Sequence, residues 1–186
     1  MHHLRSEGLV GRSYREHDNF FVNARQLCRR TCDDLSIVKR SAGLLMYRRK
    51  SAHLEVFLVH PGGPFWSKKD AWTIPKGEYD DYEAPLDAAR REFEEETGFN
   101  ASPPFIELGE IQQPTGKLVT AWAFEGDCDP SALKSNTCFI EWAGRRMEIP
   151  EVDRGEWFTI EKARERIFKG QEKFLDRLAE VSGLDP

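Results

Sequence analysis

The stretch Gly77–Phe99 constrains this chain more than any other, because it concentrates acidic residues on one short predicted helix. With Glu92 as reference and about 100° of rotation per residue, Glu96 lies about 40° to one side and Glu95 about 60° to the other. The three carboxylates therefore share one face of the helix. Glu94 points away from that face, so we expect it to be dispensable.

The flanks of the acidic face have different characters. Leu86, Ala89 and Phe93 are centred about 95° from Glu92 and form an apolar stripe suited to packing on a sheet. Arg91 lies on the other flank and can pair with a glutamate four residues further along. The helix is therefore predicted to rest on a sheet with its carboxylates at one side of the contact.

The end of the helix is an unfavourable place for carboxylates. Gly98 is a helix stop, so Glu95 and Glu96 lie in the last turn and oppose the helix dipole at about 0.3 to 1 kcal/mol each. Glu92 and Glu96 also repel each other. A solvated acidic face is the alternative interpretation, but a bound cation such as magnesium would make the arrangement favourable. The spacing therefore predicts a divalent metal site.

The composition limits the other possibilities. A length of 186 residues suits one domain with a sizeable core, and the net charge of −5 gives no overall electrostatic case for a nucleic-acid partner. No apolar run is long enough for a membrane span, and the N-terminus lacks the apolar core of a signal peptide. The cysteines lack zinc-finger spacing, which favours free thiols and a cytoplasmic location; they are Cys28, Cys32, Cys128 and Cys138.

The order of predicted elements favours an α/β fold. Residues 1–38 are interpreted as an N-terminal extension with a partly helical segment and a basic patch at Arg25–Arg30. Strands are predicted at Ser41–Tyr47, Leu54–His60, Ala71–Pro75, Phe105–Gln113, Leu118–Phe124, Phe139–Trp142, Arg146–Ile149 and Trp157–Phe158, and closing helices at Thr159–Phe168 and Gln171–Val181. This order predicts a mixed sheet with helices on both faces and the acidic helix in a ligand-binding crevice.

Three parts of the sequence together resemble the Nudix box: Gly77, Glu83 and the run Arg91–Phe99 (REFEEETGF). The family pattern is G-x5-E-x7-R-E-U-x-E-E-x-G-U, where U is a bulky apolar residue. Every fixed position is met, with Phe93 and Phe99 at the U positions. The resemblance implies a Nudix domain over residues 39–186, with residues 1–38 outside it.

This resemblance implies both a fold and a chemistry. The fold would be an α/β/α sandwich with a mixed β-sheet, and the activity would be hydrolysis of a nucleoside diphosphate linked to another group. The cofactor would be Mg²⁺ or Mn²⁺, held at positions that match the family's metal-binding residues, Gly77 (through its carbonyl), Glu83, Glu92, Glu95 and Glu96. Arg91 matches the arginine that orients the catalytic glutamates.

The general base is open between two positions. Hydrolysis of a pyrophosphate requires a group that accepts a proton from the attacking water. Glu92 is one choice. The other is Glu151, which lies six residues before Trp157 on a loop where many family members carry a glutamate. Glu148 and Asp153 are neighbouring alternatives, and an ordinary surface charge is the structural interpretation of Glu151.

Several residues outside the box are expected to contact the substrate. Phosphate oxygens are the expected partners of three lysines, Lys68, Lys76 and Lys117. Trp66, or its neighbour Phe65, lies on a loop rich in glycine and proline, where an aromatic ring is suited to stacking on a base. His60 ends a predicted strand, and we expect it to be structural.

The sequence around the box narrows the substrate. It resembles a bacterial group of predicted nucleoside triphosphate pyrophosphohydrolases and is also similar to diadenosine polyphosphate hydrolases, so a nucleoside triphosphate or dinucleoside polyphosphate is expected. The alternatives are ADP-ribose or a nucleotide sugar, a nucleotide-sensing domain without turnover, and processing of RNA 5′ ends. Dimers are common in the family, so a homodimer is a further expectation.

Overall fold

The computed structural model describes residues 39–50 and 53–183. Its main sheet has six strands: β1 (Arg40–Lys50), β2 (His53–Pro61), β3 (Lys76–Glu78), β4 (Ile106–Gln112), β5 (Leu118–Glu125) and β8 (Val152–Thr159). A second sheet consists of β6 (Thr137–Trp142) and β7 (Arg145–Pro150). The helices are α1 (Pro85–Thr97), α2 (Ile160–Arg166) and α3 (Glu172–Ser182).

The main sheet is mixed, as predicted. Its strand order is β4-β5-β1-β2-β8, with β1 and β5 parallel and the other pairs antiparallel. One edge of β1 is shared between two partners, because Ser41–Gly43 pairs with β3 and Tyr47–Lys50 pairs with β2. This division places the short strand β3 next to α1, at the beginning of the acidic stretch.

The sheet is covered on both faces, which confirms the α/β/α arrangement. Alternate residues of β1 point to opposite sides of the sheet, as the period of two in a strand requires. Ala42, Leu44 and Met46 pack in the layer that contains Ala89 and Phe93 of α1. The other layer joins the alternate β1 residues to α2 and α3 and includes Leu45, Tyr47, Ala163, Leu175 and Leu178.

The predicted strand Ala71–Pro75 is wrong. This segment makes only isolated β-bridges, to Val59 and Ile167, and the regular strand begins afterwards at Lys76. The reason is that its backbone partners belong to different elements. One of its amides donates to the side chain of Gln171 at 3.1 Å, and its final proline has no N–H to contribute to a ladder.

The predicted hairpin around Ala143 and Gly144 is confirmed and is longer than expected. Both residues have positive φ, 49° and 74°, as a two-residue type I′ turn requires. We call the β6–β7 hairpin, residues 137–150, the ribbon. It pairs with itself from Thr137 opposite Pro150 to Trp142 opposite Arg145.

Some predictions fall outside the described residues. These include the N-terminal extension over residues 1–38, with its basic patch and two of its cysteines, and the last three residues of the chain. Within the described residues Cys128 and Cys138 are free thiols, as predicted. None of the helices described in the structure combines the length and the apolar character needed to cross a membrane.

Candidate active site

Helix α1 presents the acidic face in the predicted orientation. Glu92 and Glu96 are buried, with 3% and 6% of their surface exposed, and Glu95 is half-buried. Glu94 is exposed, which confirms that it points away from this face. Phe93 is fully buried and holds the helix on the sheet. The angular argument from the sequence therefore selects the correct three glutamates for one face.

Strand β3 brings the backbone of Gly77 directly against the carboxylate of Glu92. A Cβ atom at this position would overlap the carboxyl carbon and both oxygens of Glu92, so the close approach requires glycine. The preceding amide, that of Lys76, donates to Oε2 of Glu96 at 3.0 Å. The glycine and the two buried glutamates of the motif therefore form one packed unit.

Arg91 links three of the motif carboxylates. It donates from Nε and Nη2 to the two oxygens of Glu83, at 2.8 Å each. Its Nη1 donates to Oε1 of Glu92 at 2.5 Å and to Oε2 of Glu95 at 3.2 Å, so the predicted pair with Glu95 is confirmed. These hydrogen bonds hold the pKa of Glu83 below its usual range. Arg91 thus fixes the orientation of the acidic face.

Burial opposes the charges of the residues on this face. Desolvation raises the pKa of Glu92, while the hydrogen bond from Arg91 works in the opposite direction. Desolvation raises the pKa of Glu96 to about 8; the charge of Lys76 opposes this shift, and the charges of Glu92 and Glu151 add to it. Burial likewise lowers the pKa of Lys76. A further positive charge near the two buried glutamates would stabilise their ionised forms.

The backbone of Glu151 is held between α1 and the end of β2. Its N–H donates to the carbonyl of Asn136 at 2.9 Å, and its carbonyl accepts from the N–H of Gly62 at 3.0 Å. The N–H of Asn136 in turn donates to the carbonyl of Glu95 at 2.8 Å. This series of backbone hydrogen bonds fixes Glu151 relative to the acidic face, although the two are far apart in sequence.

The two alternatives to Glu151 are engaged elsewhere. Glu148 is exposed on the ribbon and accepts a hydrogen bond from the hydroxyl of Thr137 at 2.6 Å. Asp153 lies 2.8 Å from Nδ1 of the buried His60. Of these three carboxylates, Glu151 is the one that lines the cleft beside α1.

A cleft that is open to solvent unites most of the predicted site residues. One end, which we call the charged end, contains Glu92, Glu96, Glu151, Lys76, Gly77, Glu78 and Lys117. The other, which we call the apolar end, contains Gly62, Gly63, Pro64, Phe65, Trp66, Cys138, Ile140, Ile149 and Pro150.

The three predicted phosphate-binding lysines have different positions. Lys76 and Lys117 line the charged end, and Nζ of Lys117 lies 3.1 Å from Oε1 of Glu78. Lys68 is exposed and does not line the cleft. The next residue, Lys69, instead places its ammonium group 3.3 Å from the ring centroid of Phe65, a cation–π contact.

Trp66 and Phe65 line the apolar end and also contact other rings. Their ring centroids are 4.7 Å apart in an edge-to-face arrangement. Trp66 packs against Phe168 at 5.2 Å, and Phe65 approaches Trp142 of the ribbon at 6.5 Å. Because Trp66 is supported on two sides by other rings, it forms a fixed part of the cleft wall.

His60 is fully buried, and both of its ring nitrogens have partners. Nε2 faces the carbonyl oxygen of Lys69 at 2.8 Å, and Nδ1 faces Oδ1 of Asp153 at 2.8 Å. A carbonyl oxygen only accepts, so Nε2 carries a hydrogen and donates it to the Lys69 carbonyl. The structural interpretation of His60 is thus supported, and the residue connects the Trp66 loop to the segment that follows Glu151.

The sequence reasoning did not identify the apolar wall formed by the ribbon. A signal for it existed, because Cys138, Ile140 and Trp142 alternate with Thr137, Phe139 and Glu141, so one side of the strand is apolar. Glu78 was also missed, because a single glutamate after the motif glycine has no distinguishing pattern.

The donor set fits a divalent cation by its chemistry. The acidic face supplies carboxylate oxygens, the ligands preferred by Mg²⁺ and Mn²⁺, and Arg91 uses one oxygen each of Glu92 and Glu95, so each of the two offers a second. Within residues 39–50 and 53–183, no three acidic, histidine or cysteine side chains are already placed around one ion position. The second oxygens of Glu92 and Glu95 could therefore ligate an ion while Arg91 keeps its hydrogen bonds to the first.

Comparison with known proteins identifies the class of this site. A family model described as the NUDIX domain matches residues 38–178, more than half of the chain. The chain therefore belongs to the NUDIX family, and it is a hydrolase that acts on pyrophosphate bonds. The family generally uses divalent metal ions. No curated protein matches the sequence.

Solved structures share the fold at low sequence identity. The Ap4A hydrolase of C. elegans, in a binary complex, is 22% identical with a TM-score of 0.56, over 79% of this chain and 100% of that one. The NUDIX domain of Shewanella oneidensis NrtR, complexed with ADP ribose, is 14% identical with a TM-score of 0.59, over 87% and 99%. The MutT protein of Methanosarcina mazei Go1 is 21% identical with a TM-score of 0.52, over 77% and 94%.

Proposed function

We propose that this protein hydrolyses a pyrophosphate bond in a nucleoside triphosphate or a dinucleoside polyphosphate in a divalent-metal-dependent reaction. The observation that carries this proposal is the charged end of the cleft. There two buried glutamates face the same space as Lys76, Lys117 and Glu151. Glu92 is held by Gly77 and Arg91, and Glu96 accepts from the amide of Lys76.

The proposed metal ligands are the residues of the acidic face and its surroundings: Glu92, Glu95 and Glu96, with Glu83 and the carbonyl of Gly77 as accessory positions. A bound Mg²⁺ or Mn²⁺ supplies charge neutralisation on the phosphates and acidifies a water molecule. Arg91 keeps the carboxylates oriented, and Phe93 anchors the helix that carries them. The chain's part of the metal chemistry is thus rigid positioning of carboxylate oxygens.

Glu151 is the proposed proton acceptor. In the reaction a water oxygen forms a bond to phosphorus, the bridging phosphorus–oxygen bond breaks, and the proton released by the water passes to the Glu151 carboxylate. Two observations favour Glu151 over Glu92 in this role. Both line the cleft, but the Glu92 carboxylate is held by Arg91 and packed on Gly77, whereas Glu151 is positioned through two hydrogen bonds of its backbone.

Two lysines are proposed to hold the phosphates. Lys76 and Lys117 line the same end of the cleft as the acidic face, so their ammonium groups lie near the proposed position of the phosphate oxygens. Trp66, in the wall of the other end, is the proposed contact for the organic part of the substrate. Lys68, exposed beside this loop, would contact only a long polyphosphate that extends out of the cleft.

A second candidate activity is hydrolysis of ADP-ribose or a nucleotide sugar. The observation that favours it is the fold similarity to the Shewanella NrtR domain, which was crystallised with ADP ribose. A domain that binds such a ligand without turnover is the related non-catalytic possibility. The complete set of box carboxylates, including the buried Glu92 and Glu96, favours catalysis.

The test is a substrate screen in the presence and absence of Mg²⁺ and Mn²⁺, with products identified by mass spectrometry. The panel contains nucleoside triphosphates, dinucleoside polyphosphates, ADP-ribose, nucleotide sugars and 5′-triphosphate RNA. We expect metal-dependent cleavage of a triphosphate or dinucleoside polyphosphate. A clear preference for ADP-ribose would replace the substrate assignment, and binding without turnover of any compound would favour the sensor.

A further inference from the structure

The ribbon has an apolar side that belongs to neither layer of the hydrophobic core. Cys138, Ile140 and Trp142 on β6 are half-buried, while the residues between them are exposed. On β7, Ile149, which pairs with Cys138, is half-buried as well. None of these four residues is a member of either core layer among the described residues. Their partial burial therefore comes from lining the cleft and contacting its loops.

The apolar side of the ribbon faces the loop that follows β2. The bottom of the space between them is closed by close backbone contacts. A Cβ added at Gly62 would overlap the carbonyl of Pro150, and one added at Gly63 would meet the side chain of Ile149. Farther along, Phe65 of the loop and Trp142 of the ribbon approach to 6.5 Å between ring centroids. The result is a slot with an aromatic wall and an aliphatic wall.

The slot is continuous with the charged end of the cleft. Glu151 directly follows the last residue of the ribbon, and its charge contributes to raising the pKa of Cys138 on the opposite strand, after burial. A ligand whose phosphates lie beside Lys76 and Lys117 can therefore extend an uncharged group into the slot. The matching chemistry is a flat, largely apolar ring system joined to a polyphosphate.

We propose that the ribbon forms the nucleobase site of this protein, with Ile140 and Ile149 contacting one face of the base and Phe65 contacting the other. This assignment rests on the proposed function, because it takes the polyphosphate at the charged end as given. It makes the ribbon a determinant of nucleotide affinity that acts through apolar contact and leaves the hydrolytic groups unchanged.

The experiment measures equilibrium binding, so that it does not depend on turnover. The probes are α,β-methylene analogues of triphosphates carrying adenine, guanine, cytosine and uracil, together with inorganic tripolyphosphate, which lacks a base. The variants are Ile140→Ser, Ile149→Ser and the double variant. The control is Phe139→Ser, which removes an apolar side chain from the outer, 44% exposed side of the same strand.

We expect each isoleucine variant to weaken binding of the best nucleotide analogue about tenfold, because it removes apolar contact area from the ligand. Tripolyphosphate binding should remain within about twofold, and Phe139→Ser should match the parent protein. Ile149→Leu, which keeps the apolar volume, should restore nucleotide binding. This rescue separates a contact with the base from a general loss of folding.

Three results would overturn the proposal. The first is equal weakening of nucleotide and tripolyphosphate binding in the isoleucine variants, and the second is parent-like nucleotide binding in the double variant. The third is a parent protein that binds no nucleotide analogue more tightly than tripolyphosphate. Failure of the proposed hydrolysis is seen separately, as selective nucleotide binding by a protein that cleaves none of the screened compounds.

Discussion

The two ends of the cleft are built in different ways. The charged end is formed by one helix, one short strand and a glutamate fixed by backbone hydrogen bonds, and its two central carboxylates are buried. The apolar end is formed by a loop and by a hairpin outside the main sheet. In the proposed function, the covered layer of the fold carries the chemistry, and the hairpin outside the main sheet carries recognition.

The two ends of the cleft should respond differently to substitution. At the charged end, a change of one side chain disturbs groups that contact one another directly, such as Arg91 with Glu83, Glu92 and Glu95. At the apolar end, the ribbon contributes half-buried residues that the core does not need. Substitutions at the charged end should therefore affect all substrates equally, whereas substitutions at the apolar end should depend on the substrate's organic group.

The largest effect is expected for Glu96→Gln. The change removes a proposed metal ligand, so metal-dependent turnover should fall about 10³-fold or more, equal to about 4 kcal/mol. The fold should persist, because the glutamine oxygen can still accept from the amide of Lys76. Steady-state kinetics and thermal unfolding measure the two properties. Glu94→Gln, on the exposed side of α1, is the matched control and should be neutral; undiminished turnover in Glu96→Gln would remove its metal role.

A second large effect is expected for Gly77→Ala. The added methyl group overlaps the Glu92 carboxylate, so this carboxylate must move from its position, and a misplacement of about 1 Å costs about 10²-fold in rate. The loss should be the same for every nucleotide, as measured by kcat/KM on two substrates with different bases. Gly170→Ala, whose added Cβ has ordinary contacts only, is the control. Parent-like kinetics would show that the close packing is not required.

A third effect tests the junction between the two ends. Glu151→Gln removes the proposed proton acceptor and should lower kcat about 10²-fold with little change in KM. Its matched control is Glu148→Gln, an exposed ribbon residue three positions earlier. A decrease of only a few-fold would return the role of general base to Glu92. A rise in KM for one base alone would instead assign Glu151 to the apolar end.

The charged and apolar ends also differ in how far they could be predicted from the sequence. The charged end depends on the helix period and on a local motif, so residues close in sequence specified Glu92, Glu95, Glu96, Arg91 and Gly77. The sheet with helices on both faces also followed from the order of the elements. The segment Ala71–Pro75 was misassigned because its hydrogen-bond partners lie far away in the sequence.

The apolar end could not be predicted for a related reason. Its walls come from residues 62–66 and 138–150, and only the tertiary arrangement shows that Gly62 and Gly63 allow these segments to touch. The alternation in β6 indicates a strand with one apolar side, but it does not show what that side contacts. The links made by His60 are also not evident from the sequence, because its partners, Lys69 and Asp153, lie 9 and 93 residues away along the chain.

A moderate effect is expected for His60→Leu, which tests the connection between the Trp66 loop and the segment after Glu151. The change leaves the Lys69 carbonyl without its donor and removes the contact with Asp153, so stability should fall by about 2 to 3 kcal/mol. Urea unfolding measures this loss. An unchanged free energy of unfolding in His60→Leu would contradict the structural role of His60.

The smallest effect concerns the thiols of Cys128 and Cys138, which lie at different sites in the structure. Burial, followed by the charge of Asp127, raises the pKa of Cys128 to about 12, and burial also raises the pKa of Cys138. Because alkylation requires the thiolate, a raised pKa lowers the thiolate population at pH 8. The alkylation rates of both cysteines should therefore rise about tenfold per pH unit below the pKa.

Cys138 lines the cleft and should be protected from alkylation by a bound nucleotide analogue, whereas Cys128 lies outside the cleft and should not be protected. Peptide mapping after iodoacetamide treatment measures both rates; equal protection of the two thiols would mean that the ligand does not occupy the apolar end.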